Sequence, residues 1–335
     1  KTYTVTVVSD SGNKYRFDGH GTSAVTLDLA EGSTYVFDQS DSSNAGHPIR
    51  FGTSANGTDY TTGVTHTGTP GSAGAKTTLV LGTGVSTLYY SCLNHSGMGG
   101  QINTNSTAGA SNFDGSIQAT VKANPEAGFS IVTASPNNNA VSMGHGLNAA
   151  PSVIISKSRT VTYDWNVFHA SLGGDEIMRL NTTAAKQTVS GYWNNVGTST
   201  FSVASGNNAN NSGDMVYFCM APVAGYSAFG SYEGNGSNDG PFVFTGFRLK
   251  YLLYRRTDST GQWAIWDTSR NPSNVTDKYL WAQSSNAEGT FGAVDILSNG
   301  FKLRTSDAAN NASNGTFIYA AFAENPFQAN GGLAR

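Results

Sequence analysis

Residues 88–102 read Leu-Tyr-Tyr-Ser-Cys-Leu-Asn-His-Ser-Gly-Met-Gly-Gly-Gln-Ile, and this stretch places Cys92, His95 and Met98 at intervals of three residues. The runs at its two ends are typical of β-strands, and the glycines between them indicate a short loop. Soft sulfur and imidazole ligands bind copper strongly, and a thioether can serve as a weak axial ligand. The stretch therefore predicts two strands joined by a loop that carries three candidate copper ligands.

A mononuclear copper site on this loop needs a second imidazole from elsewhere in the chain. His47 is the candidate, because it stands in Asn-Ala-Gly-His-Pro-Ile-Arg-Phe, residues 44–51, just before another strand-like run. The sequence predicts that this run lies beside the loop, so that the two histidines and the cysteine meet at one end of the domain.

The spacing of Cys92, His95 and Met98, with His47 far upstream, resembles the cupredoxin (blue copper) family. The resemblance covers about the first hundred residues and implies that these four residues are the ligands of one copper ion. One position departs from the family pattern. Pro48 stands where the family usually has an asparagine whose hydrogen bonds tie the two ligand loops together, and proline has no backbone N–H to donate. Copper binding and a shell of the same fold without metal are both left open.

Short alternating runs separated by turn residues fill the rest of residues 1–102, as in Tyr3–Val7 and Val25–Leu29. This spacing predicts an antiparallel sandwich, which the resemblance makes a cupredoxin-like Greek-key sandwich. The polar residues 53–75 are interpreted as a loop. Residues 103–112 contain no apolar side chain larger than alanine, and they predict a linker.

From residue 113 onward the chain repeats itself with a period of about one hundred residues. Trp165 recurs as Trp263 and Tyr217 recurs as Tyr319, at separations of 98 and 102 residues. Each copy holds several strand-like runs and no helical periodicity. The sequence therefore predicts an all-β chain in which two tandem, jelly-roll-like β-sandwich modules, 113–225 and 226–335, follow the first domain. Packing of both copies as one duplicated unit is the alternative.

Composition excludes several classes of function. Charged residues make up 12% of the 335 residues and the net charge is −3, so there is no electrostatic basis for binding nucleic acid or an anionic membrane. No apolar run approaches the roughly 20 residues of a membrane helix. Cys92 and Cys219 do not form a disulfide framework, and no pairing is predicted. The chain begins with Lys1 rather than methionine, which indicates a removed upstream segment or a longer parent chain.

A second resemblance lies in the repeated part of the chain. Residues 225–247 begin Gly-Tyr-Ser-Ala-Phe-Gly-Ser-Tyr-Glu-Gly-Asn-Gly, and residues 295–304 read Asp-Ile-Leu-Ser-Asn-Gly-Phe-Lys-Leu-Arg. Both resemble a module of virion proteins from tailed bacteriophages, notably marine ones. The resemblance implies a place on the virion surface, outside the cell, rather than an activity. It also implies homo-oligomers, with a trimer expected by analogy with phage fibres, and contacts with other virion proteins.

No catalytic motif is present: the chain lacks HExxH, a phosphate loop, G-x-G-x-x-G and G-x-S-x-G, so the sequence predicts that the protein is not an enzyme. The preferred interpretation is a structural phage protein, either a capsid decoration or fibre protein or a tail-fibre segment, that stabilises the particle or attaches it to a host. The alternative is a copper-binding electron-transfer protein with appended carbohydrate-binding modules. A third is a glycan-binding protein, with a host-surface glycan held by Trp193 or Trp281. Exposed aromatic rings would support that interpretation, and burial would contradict it.

Overall fold

The computed structural model describes residues 1–104, 106–206, 208–210 and 213–326, and it is all-β as predicted. In the first part of the chain a 3₁₀ helix spans Ser42–Asn44. The strands of this part are β1 Thr2–Ser9, β2 Asn13–Phe17, β3 Leu27–Asp28, β4 Thr34–Asp38, β5 Ile49–Gly52, β6 Val64–Thr67, β7 Lys76–Val80, β8 Leu88–Cys92, β9 Gly100–Asn103, β10 Ala110–Asn112, β11 Ala119–Asn124, β12 Phe129–Ala134 and β13 Val141–Gly144.

In the second part a single turn of helix, α1, spans Ala308–Asn311 and is capped by the Asp307 side chain. The strands of this part are β14 Val153–Ser158, β15 Asn166–His169, β16 Glu176–Arg179, β17 Gln187–Thr188, β18 Trp193–Asn194, β19 Thr200–Val203, β20 Met215–Met220, β21 Ser227–Glu233, β22 Phe242–Phe244, β23 Leu249–Arg256, β24 Ala264–Asp267, β25 Thr276–Trp281, β26 Gly289–Leu297, β27 Gly300–Leu303 and β28 Thr316–Ala323. Among the described residues, no helix has the length and apolar character needed to cross a membrane.

The chain divides into two compact units. The first contains Lys1–Ala123, Ile131–Ser135 and Val141–Gly146. The second contains Asn124–Ser130, Pro136–Ala140 and the described residues from Leu147 onward. This division differs from the predicted boundaries at residues 102 and 225, and residues 327–335 of the predicted last module lie outside the described residues.

Two sheets make the body of the first unit. One has the strand order β2-β1-β4-β7-β6 and the other the order β3-β9-β8-β5. Alternate side chains of most of these strands are buried, as in Tyr3 and Val5 of β1 and Tyr35 and Phe37 of β4, because successive side chains of a strand point to opposite faces. These inward residues form one core cluster, which also contains Cys92.

The segment predicted as a linker is part of the first unit. The buried Ser111 accepts a hydrogen bond at its carbonyl oxygen from the Tyr3 hydroxyl (2.9 Å) and another at its own hydroxyl from the Asp28 N–H (2.8 Å). Phe113 follows and packs in the core cluster. Polar atoms anchor this segment, so its lack of large apolar side chains did not leave it free of the sandwich.

The second unit contains the larger part of the first copy of the repeat and the second copy, whereas residues 113–123, 131–135 and 141–146 of the first copy belong to the first unit. Strands β20, β14, β15, β16 and β17 lie side by side in that order, and the second copy forms an eight-stranded sheet with the order β21-β28-β23-β24-β25-β26-β27-β22. The strands of the first copy from β14 onward and those of the second copy therefore belong to one compact unit, which is closer to the alternative of a duplicated unit than to two separate modules.

The strand registers of the two copies are equivalent. In each copy one residue of the central strand faces one residue on each neighbouring strand: Ile155 faces Val167 and Phe218, and Leu253 faces Ile265 and Ala320. Ile155 and its equivalent Leu253 are 98 residues apart, as are Val167 and Ile265, and Phe218 and Ala320 are 102 residues apart. These are the separations at which the sequence repeats. The repeat inferred from the sequence is therefore a repeat of structure.

The equivalent tryptophans of the two copies differ in burial. Trp263 is 3% exposed, whereas Trp165 is 37% exposed and stacks on Phe218 with ring centroids 6.4 Å apart. The ring of Trp263 therefore belongs to the core, and the ring of Trp165 does not. The surface of the first copy around Trp165 is therefore partly exposed to solvent.

Candidate metal centre

The pairing of β5 with β8 brings His47 to the cysteine loop. Ile49 lies opposite Cys92 in the antiparallel register, and both side chains are buried. His47 lies two residues before the first residue of β5, and the pairing brings its imidazole within 3.8 Å of the Cys92 sulfur. The sequence placed Cys92 and His95 on one loop, and the sheet adds His47 to them.

Three donor groups converge at this end of the first unit. The Cys92 Sγ atom lies 3.8 Å from His47 Nδ1 and 3.6 Å from His95 Nδ1. All three donor atoms lie within 4.8 Å of one another, and the two imidazole rings have centroids 4.6 Å apart. The prediction that these residues meet is confirmed by the structure.

The three donors differ in their exposure to solvent. Cys92 is 2% exposed, His47 is half-buried and His95 is exposed. Burial and the neighbouring His95 lower the pKa of His47 below its ordinary value, so this imidazole is neutral near pH 7. A neutral imidazole has the lone pair that a metal requires.

The loop that carries His95 and Met98 returns to the sheet through a close backbone approach. A Cβ atom on Gly99 would lie 1.7 Å from the carbonyl oxygen of Tyr90, so only glycine fits there. The side-chain ammonium of Lys14 donates to the carbonyl of Gly97 at the tip of the same loop. Glycine and this contact together define the path of the loop.

Met98 lies in the core cluster that also contains Cys92, and it is 1% exposed. Its carbonyl oxygen accepts a hydrogen bond from the Tyr15 N–H at 2.9 Å. The backbone at Met98 is therefore tied to β2. The role of its thioether as a fourth ligand stays a prediction.

Gln39, which the sequence did not reveal as part of the site, holds the first ligand loop through hydrogen bonds. Its Nε2 donates to the His47 carbonyl (2.9 Å), and its Oε1 accepts from the Ile49 N–H (3.2 Å) and the Thr77 hydroxyl (3.2 Å). The Tyr15 hydroxyl donates to the same His47 carbonyl at 2.8 Å. The residues on both sides of Pro48 are thus held, although Pro48 itself donates nothing.

The two ligand loops are also tied directly to each other. The Asn94 side-chain amide donates to the Gly46 carbonyl at 2.9 Å, and the Leu93 N–H donates to the Pro48 carbonyl at 3.0 Å. The two ligand loops are thus joined although Pro48 donates no hydrogen bond, because an asparagine on the other loop makes the connection.

A signal for Gln39 is present in the sequence. Tyr35 and Phe37 are the inward residues of β4, and Gln39 continues that alternation at 1% exposure. A glutamine at the next inward position of an apolar alternation indicates a buried amide, and a buried amide requires partners. The identity of those partners depends on tertiary structure.

We expect Gln39→Met to lower the free energy of unfolding of the first unit by about 1–3 kcal/mol, because the buried Ile49 N–H loses its acceptor at nearly constant side-chain volume. Chemical denaturation measures this. The matched control is Gln101→Met, since the Gln101 side chain is half-buried and donates to the half-buried Asn103. Equal losses of unfolding free energy from the two substitutions would contradict this role of Gln39.

The glycan site predicted at Trp193 is wrong by the criterion of exposure, because Trp193 is 1% exposed and packs against Phe168 and Tyr192. Trp281 is half-buried beside Tyr279, with ring centroids 4.4 Å apart. Burial removes the ring face on which a sugar would stack at Trp193.

The fold and site define an all-β protein whose first unit carries a cluster of one thiol and two imidazoles. The family model of a domain of unknown function, DUF7483, matches residues 102–326, and the chain belongs to that family. No curated protein matches the chain. No solved structure matches it either.

Proposed function

We propose that the first unit binds one copper ion through His47, Cys92 and His95, with Met98 as a weak fourth ligand, and takes part in electron transfer. The observation that supports the proposal is the convergence of the Cys92 thiol and the two Nδ1 atoms within 4.8 Å. Copper held by a thiolate and two imidazoles supplies one-electron redox chemistry.

The donor set favours copper over other first-row metals. Zinc also accepts thiolate and imidazole, but a given nitrogen and sulfur site binds Cu²⁺ more tightly than Zn²⁺. Two Nδ1 atoms facing one sulfur, without a carboxylate among the clustered side chains of the described residues, make a soft site that suits neither calcium nor magnesium.

The residues around the site have separate roles. Burial of Cys92 keeps water from its sulfur, and the buried cluster around it presents an apolar surrounding. Gln39, Tyr15 and Asn94 hold the backbone next to the ligands, so that the donors are already close before any metal binds. The exposed His95 is the ligand that a soluble electron donor or acceptor could reach.

Adding Cu²⁺ to the metal-free chain is expected to produce the intense visible absorption of a thiolate–copper bond. It should also raise the free energy of unfolding, by about 2.7 kcal/mol when free metal is 100 times the dissociation constant. Cys92→Ser should abolish the absorption. Absorption spectroscopy and thermal unfolding measure the two effects.

The matched control is Cys219→Ser, which should leave the absorption unchanged. Cys219 is fully buried in the second unit, and burial raises the pKa of its thiol to about 12, so it is protonated and unsuited to bind a metal. A colourless protein with no thermal shift would contradict the proposal. A thermal shift that survives Cys92→Ser would contradict the role of the thiol.

The structural role on a phage particle stays a prediction. It rests on the resemblance of residues 225–247 and 295–304 to virion modules, together with the low share of charged residues. The DUF7483 match includes these residues and describes no function for them. The trimer, the virion partners and the virion-surface location likewise stay predictions.

A further inference from the structure

An apolar cavity of about 150 Å³, partly open to solvent, lies in the second unit between strands of the two copies of the repeat. The first copy contributes residues of its central and neighbouring strands, and the second copy contributes the equivalent strands and one tryptophan. Its walls include Val153, Ile155, Val167, Leu253, Trp263 and Ile318. Each copy thus supplies half of the cavity.

The imidazole at the cavity is already paired. His169 is 3% exposed, and its Nδ1 accepts a hydrogen bond from the Ser171 N–H at 3.2 Å. Its Nε2 therefore carries the proton and donates it to the Tyr319 carbonyl at 3.1 Å. Burial lowers the pKa of His169, so the ring stays neutral. Neither nitrogen is left to bind water or a charged ligand, and the site attracts apolar molecules.

The repeat gives a physical reason for the cavity. Ala320 of β28 stands at the register position that Phe218 occupies in the first copy. Ala320 lines the cavity, together with Phe322 two residues further along the same face. The second copy therefore presents a methyl group where the first presents a ring, and carbon atoms around the gap lack partners for dispersion contacts.

We propose that this cavity is a binding site for one small, uncharged aromatic ring. An enclosed cavity of this volume with an apolar lining accepts benzene, and this cavity has the same volume and kind of lining although half-buried residues such as Ile155 and Met220 form part of its wall. Trp263, Tyr251 and Phe322 offer ring edges and faces, and Met220 offers a thioether, which contacts aromatic rings favourably. No wall residue presents a free charge, so the ligand is neutral.

Benzene, titrated into the full chain up to its solubility, tests the proposal. Thermal unfolding of the second unit should shift to higher temperature as the benzene concentration rises, because a ligand that binds only the native state stabilises it. Phenol has nearly the same size, but its hydroxyl must leave water to enter an apolar cavity, so it should give a smaller shift. Xenon density in the cavity of a pressurised crystal would support the proposal by a second route.

Two substitutions fill the cavity from opposite sides. Ala320→Leu places a larger side chain in the cavity from the second copy, and Val167→Phe places one there from the first copy. Each substitution should abolish the shift produced by benzene. Val161→Leu changes an exposed residue of the same unit and should retain the wild-type shift. The proposal is overturned if benzene gives no shift and xenon no density, or if the folded filled variants respond as the wild type does.

Discussion

Replacing Trp263 by alanine is expected to lower the free energy of unfolding of the second unit by about 3–5 kcal/mol, the usual cost of deleting a large ring from a core. Trp263 is 3% exposed and belongs to the cluster that joins the two copies. Its Nε1 donates to the Arg179 carbonyl at 2.8 Å, and the Arg255 guanidinium lies 5.1 Å from its ring centroid. The substitution removes the packing and both of these contacts.

The chain contains its own control for that experiment. Trp165 occupies the equivalent place in the first copy but is 37% exposed. Trp165→Ala loses mainly the stacking on Phe218 and should cost about 1 kcal/mol. Chemical denaturation of both variants measures the difference. Equal costs for the two tryptophans would show that burial of Trp263 does not determine its contribution.

Replacing Arg255 by alanine is the second substitution with a large expected effect. Arg255 is fully buried, and its guanidinium donates to the carbonyls of Arg179 (3.0 Å), Thr182 (2.8 Å) and Ala184. Burial lowers the pKa of this guanidinium to about 10, and it is still charged at neutral pH. Three carbonyls and the Trp263 ring surround the cation in place of a carboxylate.

Arg255→Ala leaves the Thr182 and Ala184 carbonyls without this donor, while Arg179 keeps the Trp263 N–H. An unpaired buried group costs about 1–3 kcal/mol, and Thr182 and Ala184 are half-buried, so each carbonyl takes the lower end of that range and the expected loss of unfolding free energy is about 2 kcal/mol. Arg256→Ala is the matched control, because Arg256 pairs with Asp258 near the surface, where such pairs contribute about 0–1 kcal/mol. Denaturation curves that coincide for the two variants would refute the role of the buried cation.

The loop of the candidate metal centre was predictable because its chemistry is local. Cys92, His95 and Met98 occur within one short loop, and their residue types indicate copper without knowledge of the fold. His47 was also predictable, but only as the histidine that precedes a strand. That it reaches the cysteine depends on the β5–β8 register, in which Ile49 faces Cys92.

The groups that support the site were not predicted. Gln39 and Tyr15 are distant from His47 in the sequence, and their hydrogen bonds to its carbonyl arise only when the strands assemble. The departure at Pro48 suggested loose loops, because a missing N–H is visible in the sequence. Only the tertiary structure reveals that the Asn94 amide joins the two loops in place of the missing N–H.

Polar anchoring explains two other differences. Residues 103–112 were interpreted as a linker because they lack large apolar side chains, yet Ser111 is buried through hydrogen bonds to Tyr3 and Asp28. Within the polar residues 53–75, interpreted as loop, β6 forms by backbone pairing with β7, although its side chains are mostly exposed. A hydrophobic pattern in the sequence does not reveal structure that is maintained by hydrogen bonds of backbone and hydroxyl groups.

By itself the sequence determined the all-β class, the internal repeat with its separations of 98 and 102 residues, and the loop that carries Cys92, His95 and Met98. Each of these follows from local alternation, self-similarity or the chemistry of a short segment. Tertiary structure decided which equivalent tryptophan is buried, where the cavity lies and what holds His47 in place. Trp165 and Trp263 have equivalent registers, but only the packing of one copy against the other sets the exposure of each ring, because burial depends on atoms that are remote in the chain.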